Sequence, residues 1–111
     1  MTKTYPLRGE SDHAFHPGGL LGVEIEYRGM TQRELADLMG RPPQAINEII
    51  KGKKAITADT AVQLEEVLGI SARLWLNLQT RYDLIVARQA QQRRVAEGAA
   101  TYAAPTSRRR R

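Results

Sequence analysis

GMTQRELADLMGRPPQAINEIIKG, residues 29–52, decides how the chain folds. Thr31 stands at an N-cap position, and Glu34 completes an S/T-x-x-E capping box in which hydroxyl and carboxylate each take a backbone donor that the helix leaves unpaired. A helix therefore begins at Gln32. Leu35, Ala36, Leu38 and Met39 give it an apolar face at helical spacing, with Gln32, Arg33 and Asp37 pointing away, and Gly40 ends it as a residue free to take positive φ. A residue before a proline is pushed out of the α region, so Arg41 and Pro42 are both extended; Pro43 is tolerated at the first helical position, where no donor is needed. A second helix thus starts at Pro43, with Ile46, Ile49 and Ile50 inward and Gln44, Asn47, Glu48 and Lys51 outward, until Gly52 stops it. Two short helices joined by a tight turn have the geometry of a helix-turn-helix.

The outward side chains suit a base-reading surface. Amides pair bidentately with adenine edges, Arg and Lys with guanine or phosphate, and such groups reach the major-groove floor from near a helix N-terminus. Gln44 and Asn47 are so placed. The candidate DNA-binding set is Thr31, Gln32, Arg41, Pro43, Gln44, Asn47, Glu48, Lys51, Lys53 and Lys54. On an isolated amphipathic helix, plain solvated polar positions would be the better reading. Here the cap, the Gly40 turn, the paired prolines and the outward amides coincide, and together they favour base reading.

The words HPGG, GMTQRELADLMGRPPQAINEIIKGKKAITADTAVQLEEVLG and WLNLQTRYDL, in that order, resemble the HigA group of Xre-type antitoxins, over residues 15–84. A generic phage-repressor-like domain would share the helix-turn-helix but not the GKKAIT turn followed by WLNLQ. Gly19 departs from the resemblance, since the family usually carries Glu after HPG, and this bears on where the first helix starts. The resemblance implies an antitoxin that represses its own operon by binding an inverted repeat in double-stranded operator DNA as a homodimer. It also implies a HigB or RelE-like ribonuclease toxin, encoded beside it and neutralised by binding. A stand-alone dimeric repressor without a toxin partner is the alternative.

With 111 residues the chain has room for one small domain plus tails. No apolar run is long enough for a membrane span, and MTKTYPLRGESDH lacks the apolar centre of a signal peptide, so a cytoplasmic location in a bacterium is expected. The chain has no cysteine, hence no disulfide framework and no thiolate zinc site. Net charge is +5, but the last four residues are all Arg, and the remainder is nearly neutral. Positive charge is instead concentrated beside the proposed reading helix, where Arg41, Lys51, Lys53 and Lys54 face a single carboxylate, Glu48.

Residues 1–14 show no apolar period and read as a mobile arm. Pro17 fits the first position of a helix through Leu20, Leu21, Val23, Ile25 and Tyr27, weakened by Gly18, Gly19 and Gly22. His13 and His16 lack an acidic or thiol partner at ligand spacing, so a turn histidine is favoured over a metal ligand. After Gly52, a basic loop can hold phosphate, or carry ordinary solvated lysines. Thr57 caps a fourth helix, with Asp59 in its first turn and Ala61, Val62, Leu64, Val67 and Leu68 as the buried stripe; Gly69 ends it and Ser71 caps the next. The fifth helix puts Leu74, Trp75, Leu78 and Tyr82 on one face, which reads as core rather than as a base-stacking platform.

Leu76, Leu84, Ile85 and Val86 cannot all face one core, so some meet a second subunit or another protein, or are simply exposed. The domain is placed at 15–97, its last helix projecting beyond it, with a disordered basic tail at 98–111. The terminal arginines add nonspecific phosphate contacts or serve only solubility. There is no nucleophile elbow, phosphate loop, HExxH or metal-ligand set, so neither an enzyme nor a cofactor is expected. The expected architecture is all-α: a five-helix phage-repressor-like helix-turn-helix domain with a longer C-terminal helix.

Overall fold

A computed structural model describes residues 14–109, with side chains described as far as residue 99. The arm assigned to 1–14 lies outside the described residues except for Ala14, and so does His13. Five α-helices, and no strand among the described residues, follow in order: α1 Pro17–Tyr27, α2 Gln32–Met39, α3 Pro43–Ile50, α4 Ala58–Leu68 and α5 Ala72–Arg109. The chain divides into two units, one of residues 14–82 and one that includes α5 from Asp83 onward.

In the first unit, α2 packs on α3 and α4, and α1 packs on α3. The core joins Leu21 and Ile25 of α1, Leu35, Ala36 and Met39 of α2, Ile46 and Ile49 of α3, and Ala61, Leu64 and Leu68 of α4 to Ile56 and Trp75. The apolar faces read from sequence are correct in direction but too wide. Leu20, Val23 and Tyr27 of α1, Leu38 of α2, Val62 of α4 and Leu74 of α5 are exposed. An eight- to eleven-residue helix in so small a domain has neighbours on one side only, so a residue rotated beyond that side meets solvent whatever its hydropathy.

Trp75 is completely buried, and its indole N–H has no hydrogen-bond partner among the described residues. One turn further along α5, the buried Gln79 accepts the Ile56 N–H at 2.8 Å, so an amide in the core ties the 51–57 loop to α5.

The helix ends carry the expected caps. Thr31 Oγ1 accepts the Glu34 N–H at 3.0 Å while Glu34 accepts the Thr31 N–H at 2.9 Å; Thr57 and Ser71 cap α4 and α5 by the hydroxyl alone, accepting the Thr60 and Leu74 N–H groups at 3.3 and 3.2 Å. His16 is more than a turn residue. Its Nδ1 accepts the Gly18 N–H at 2.9 Å and caps α1, and its ring meets Tyr82 edge-on with centroids 4.8 Å apart. Pro17 opens α1 even though Gly19 stands where the family usually carries Glu. Arg28 secures the other end of α1, pairing with Glu24 at 2.7 Å and donating to the Leu68 carbonyl at 2.7 Å, so that it also satisfies the end of α4.

In the second unit Ile85 is buried while Leu84, Val86 and Val95 are exposed. The helix is described as far as Arg109, beyond Glu97, where the sequence reading ends the domain. The alanine-rich stretch AEGAATYAA has the intrinsic propensity to carry an already nucleated helix past Gly98 as far as Ala104.

Candidate nucleic-acid interface

The two-helix unit is built as its sequence dictates. Gly40 closes α2 in the left-handed conformation at φ 66°, its N–H and that of Arg41 returning to the carbonyls of Asp37 and Ala36. Pro42 is extended at φ −66° and ψ 145°, and α3 begins at Pro43. Between the last residue of α2 and the first of α3 lie only Gly40, Arg41 and Pro42, so the chain reverses within three residues and delivers the N-terminus of α3 outward.

The candidate residues then separate by role. Gln44 is exposed one residue inside α3, its amide donating to Glu48 at 3.3 Å, one turn on. Asn47 is not fully outward: it is half-buried and donates to Gln32 Oε1 at 3.1 Å, which draws Gln32 inward too, against the reading that pointed it away. This bond crosses the turn and ties the start of α2 to the middle of α3. Thr31 is occupied by its cap, and Pro43 is exposed at the tip of α3. Arg41 Nε donates to Gln63 of α4 at 2.6 Å, which fixes its stem beside the turn.

Lys51, Lys53 and Lys54 are exposed at the other end of α3. Gly52 at φ 77° turns the chain back so that the Lys53 and Lys54 N–H groups both reach the Glu48 carbonyl, at 2.8 and 3.2 Å. The Glu48 carboxylate stands 3.6 Å from Lys54 Nζ. Glu48 therefore organises three candidates, Gln44, Lys53 and Lys54, at once. Ile56, buried and held by Gln79, anchors the far side of this loop.

Sequence reasoning missed Gln63 and Gln79. Each is one polar residue among several on an amphipathic helix, and only the partner it meets gives it a role. The result is a surface with polar, hydrogen-bonding groups toward one end of α3 and lysines at and beyond the other. Among the described residues no group of three or more His, Cys, Asp or Glu is placed to hold a metal ion, and no helix is long and apolar enough to cross a membrane.

Comparison with known proteins agrees with this geometry. The helix-turn-helix family model HTH_3 matches residues 24–75, from the second half of α1 to the start of α5. Virulence-associated protein I of Dichelobacter nodosus is 42% identical over 80 residues, covering 71% of this chain and 74% of the relative. An addiction module antidote protein of the HigA family from Coxiella burnetii superposes with a TM-score of 0.70 at 31% identity, covering 77% of this chain and 94% of that one. The antitoxin HigA of Pseudomonas aeruginosa, solved with the higBA promoter, superposes with a TM-score of 0.70 at 28% identity, over 75% and 91% of the two chains. By its fold, its motifs and these relatives, the chain belongs to the Xre-type helix-turn-helix family HTH_3, with HigA antitoxins of addiction modules among its structural neighbours.

Proposed function

We propose that this regulator of the HigA type binds an inverted repeat in the promoter of its own operon as a homodimer, represses it, and neutralises a RelE-like ribonuclease toxin encoded beside it. The observation that carries the DNA half is the α3 surface: Gln44 exposed at a proline-started N-terminus, with Asn47 set by Gln32 and a lysine loop closed on the Glu48 carbonyl. Gln44 and Asn47 read base edges, Glu48 orients Gln44, and Lys51, Lys53 and Lys54 hold phosphates. Thr31, Gln32, Arg41 and Pro43 border the same surface and complete the backbone contacts.

The P. aeruginosa antitoxin solved with its promoter supports the operator assignment, and the addiction-module antidote from C. burnetii supports a toxin partner. A protein of this kind works in the cytoplasm and needs neither cofactor nor catalytic group. Inhibition of the toxin is steric.

The test has two arms. In the first, the purified chain is titrated against DNA from upstream of its own gene and against scrambled DNA; a retarded band on the former alone is expected, and equal binding to both would remove the operator assignment. In the second, the chain is co-expressed with the product of the adjacent small open reading frame. Growth rescue and co-purification are expected, and their absence would leave a stand-alone repressor.

A further inference from the structure

Helix α1 is apolar on two opposite faces, and the domain uses only one of them. On the inner face Leu21 and Ile25 enter the core, and Gly18 and Gly22 let α1 lie close against α3. A Cβ at Gly18 would stand 1.7 Å from the Ile49 carbonyl oxygen, and one at Gly22 would stand 3.2 Å from Ile50 Cγ2. On the opposite face Leu20, Val23 and Tyr27, at spacings of three and four, form a stripe that is 41%, 64% and 87% exposed. A helix with two apolar faces ordinarily has a neighbour on each, and among the described residues α1 has one only on the inner face.

The stripe leads into the turn Arg28–Met30, where an open groove of about 500 Å³ is lined by Arg28, Gly29, Met30, Glu34, Asp37 and Leu38. Leu38 is itself 62% exposed. Isolated exposed apolar residues need no explanation, but a stripe at helical spacing running into a groove marks an interaction surface.

Its charge says what kind of partner fits. This surface carries Glu24, Glu26, Glu34 and Asp37 against Arg28 and Arg33. Arg28 is committed to Glu24 and to the Leu68 carbonyl, while Glu26 and Asp37 have no ion-pair partner among the described residues. We propose that the α1 stripe and the adjoining groove dock a basic, RNA-binding protein, namely the ribonuclease of the toxin reading, on which this proposal rests. A protein that engages RNA phosphates carries a cationic surface, which acidic margins attract and orient, while Tyr27, Val23 and Leu38 supply apolar anchors at the centre.

The other exposed apolar residues, Leu84, Val86 and Val95 of α5, sit among Arg88, Arg93 and Arg94 with only Asp83 and Glu97 opposing. That sign repels a cationic partner, so charge chooses between the two surfaces. Since it is the Gly18 and Gly22 side of α1 that meets α3, a protein docked on the stripe leaves the reading helix free, and toxin and operator are held together.

The experiment co-expresses the full chain with the product of the small open reading frame beside its gene, and reads growth, co-purification and operator binding. In Val23→Lys/Leu38→Lys and in Asp37→Arg, co-purification falls by about tenfold or more, as when central anchors of an interface are lost, and rescue is lost with it. Operator binding by these variants is retained, and Leu84→Lys still rescues. Should the double variant fail to bind operator because it does not fold, Tyr27→Ala, which removes a side chain that touches little of the domain, carries the same test.

If the α1 and α2 variants rescue and Leu84→Lys does not, docking is on α5; the proposal falls while the toxin reading stands. If they rescue but the free chain changes its oligomeric state, the surface belongs to a second copy and the proposal again falls. If the wild-type chain neither rescues nor co-purifies, the toxin reading itself fails and takes the proposal with it.

Discussion

Two neighbouring glycines in HPGG have opposite reasons for being there. Gly18 is buried against the Ile49 carbonyl, which is backbone and cannot move aside, so Gly18→Ala forces α1 off α3 and costs about 1–3 kcal/mol or more. Gly19 has nothing within 4 Å of a Cβ and lies in a first turn that has no acidic residue. Gly19→Glu gains both helix propensity and attraction to the N-terminal dipole, together about 1 kcal/mol of added stability. Urea denaturation of the two variants should move the midpoint in opposite directions. The same scale separates the two amides of α3. Gln44→Ala leaves stability unchanged and removes about 1–3 kcal/mol of discrimination at one base position. Asn47→Ala also breaks the bond to Gln32 and so loses about 0.5–1.5 kcal/mol of fold stability in addition. Pairing denaturation with electrophoretic shifts on single-base operator variants distinguishes reading from bracing.

At the scale of elements, the helix-turn-helix was legible because its punctuation is local. Thr31 and Glu34 start α2, Gly40 stops it, and Pro42 and Pro43 restrict their own neighbours, all within a few residues. The loop after α3 was legible only as basic. Its shape depends on the Glu48 carbonyl accepting two N–H groups and on Gln79 reaching Ile56 from α5, 23 residues away. That shape makes a prediction about salt. Lys53 and Lys54 are both exposed, and the 3.6 Å approach of Lys54 to Glu48 is a solvent-screened contact that yields readily to phosphate. Replacing either lysine by Ala should weaken binding to all DNA and flatten the plot of log affinity against log salt by about 0.9. An unchanged slope in Lys53→Ala would remove that lysine from the phosphate contacts.

For the whole molecule, on the proposed reading one protomer presents one reading helix, and a single such helix covers too few base pairs for useful specificity. Two helices about 34 Å apart on one duplex face require a twofold dimer on an inverted repeat. Light scattering of the complex on a symmetric site should give two protomers per duplex, and one protomer there would count against the dimer.

The sequence by itself determined the helix order, the caps at Thr31, Thr57 and Ser71, and the turn between α2 and α3, because each follows from backbone constraints acting over three or four positions. It also carried the resemblance to HigA antitoxins, through words spread over 15–84. Only the tertiary structure decided which apolar residues are core. Leu38 and Leu35 are alike in composition, and so are Val23 and Ile25, yet one of each pair is exposed and the other buried, because the angular width of a buried face is set by how many neighbours a helix has. It likewise decided that Gln32 and Asn47 meet and that Arg41 is held by Gln63. Each of those bonds needs a partner, and a partner brought in from another element is fixed by packing, which no local pattern records.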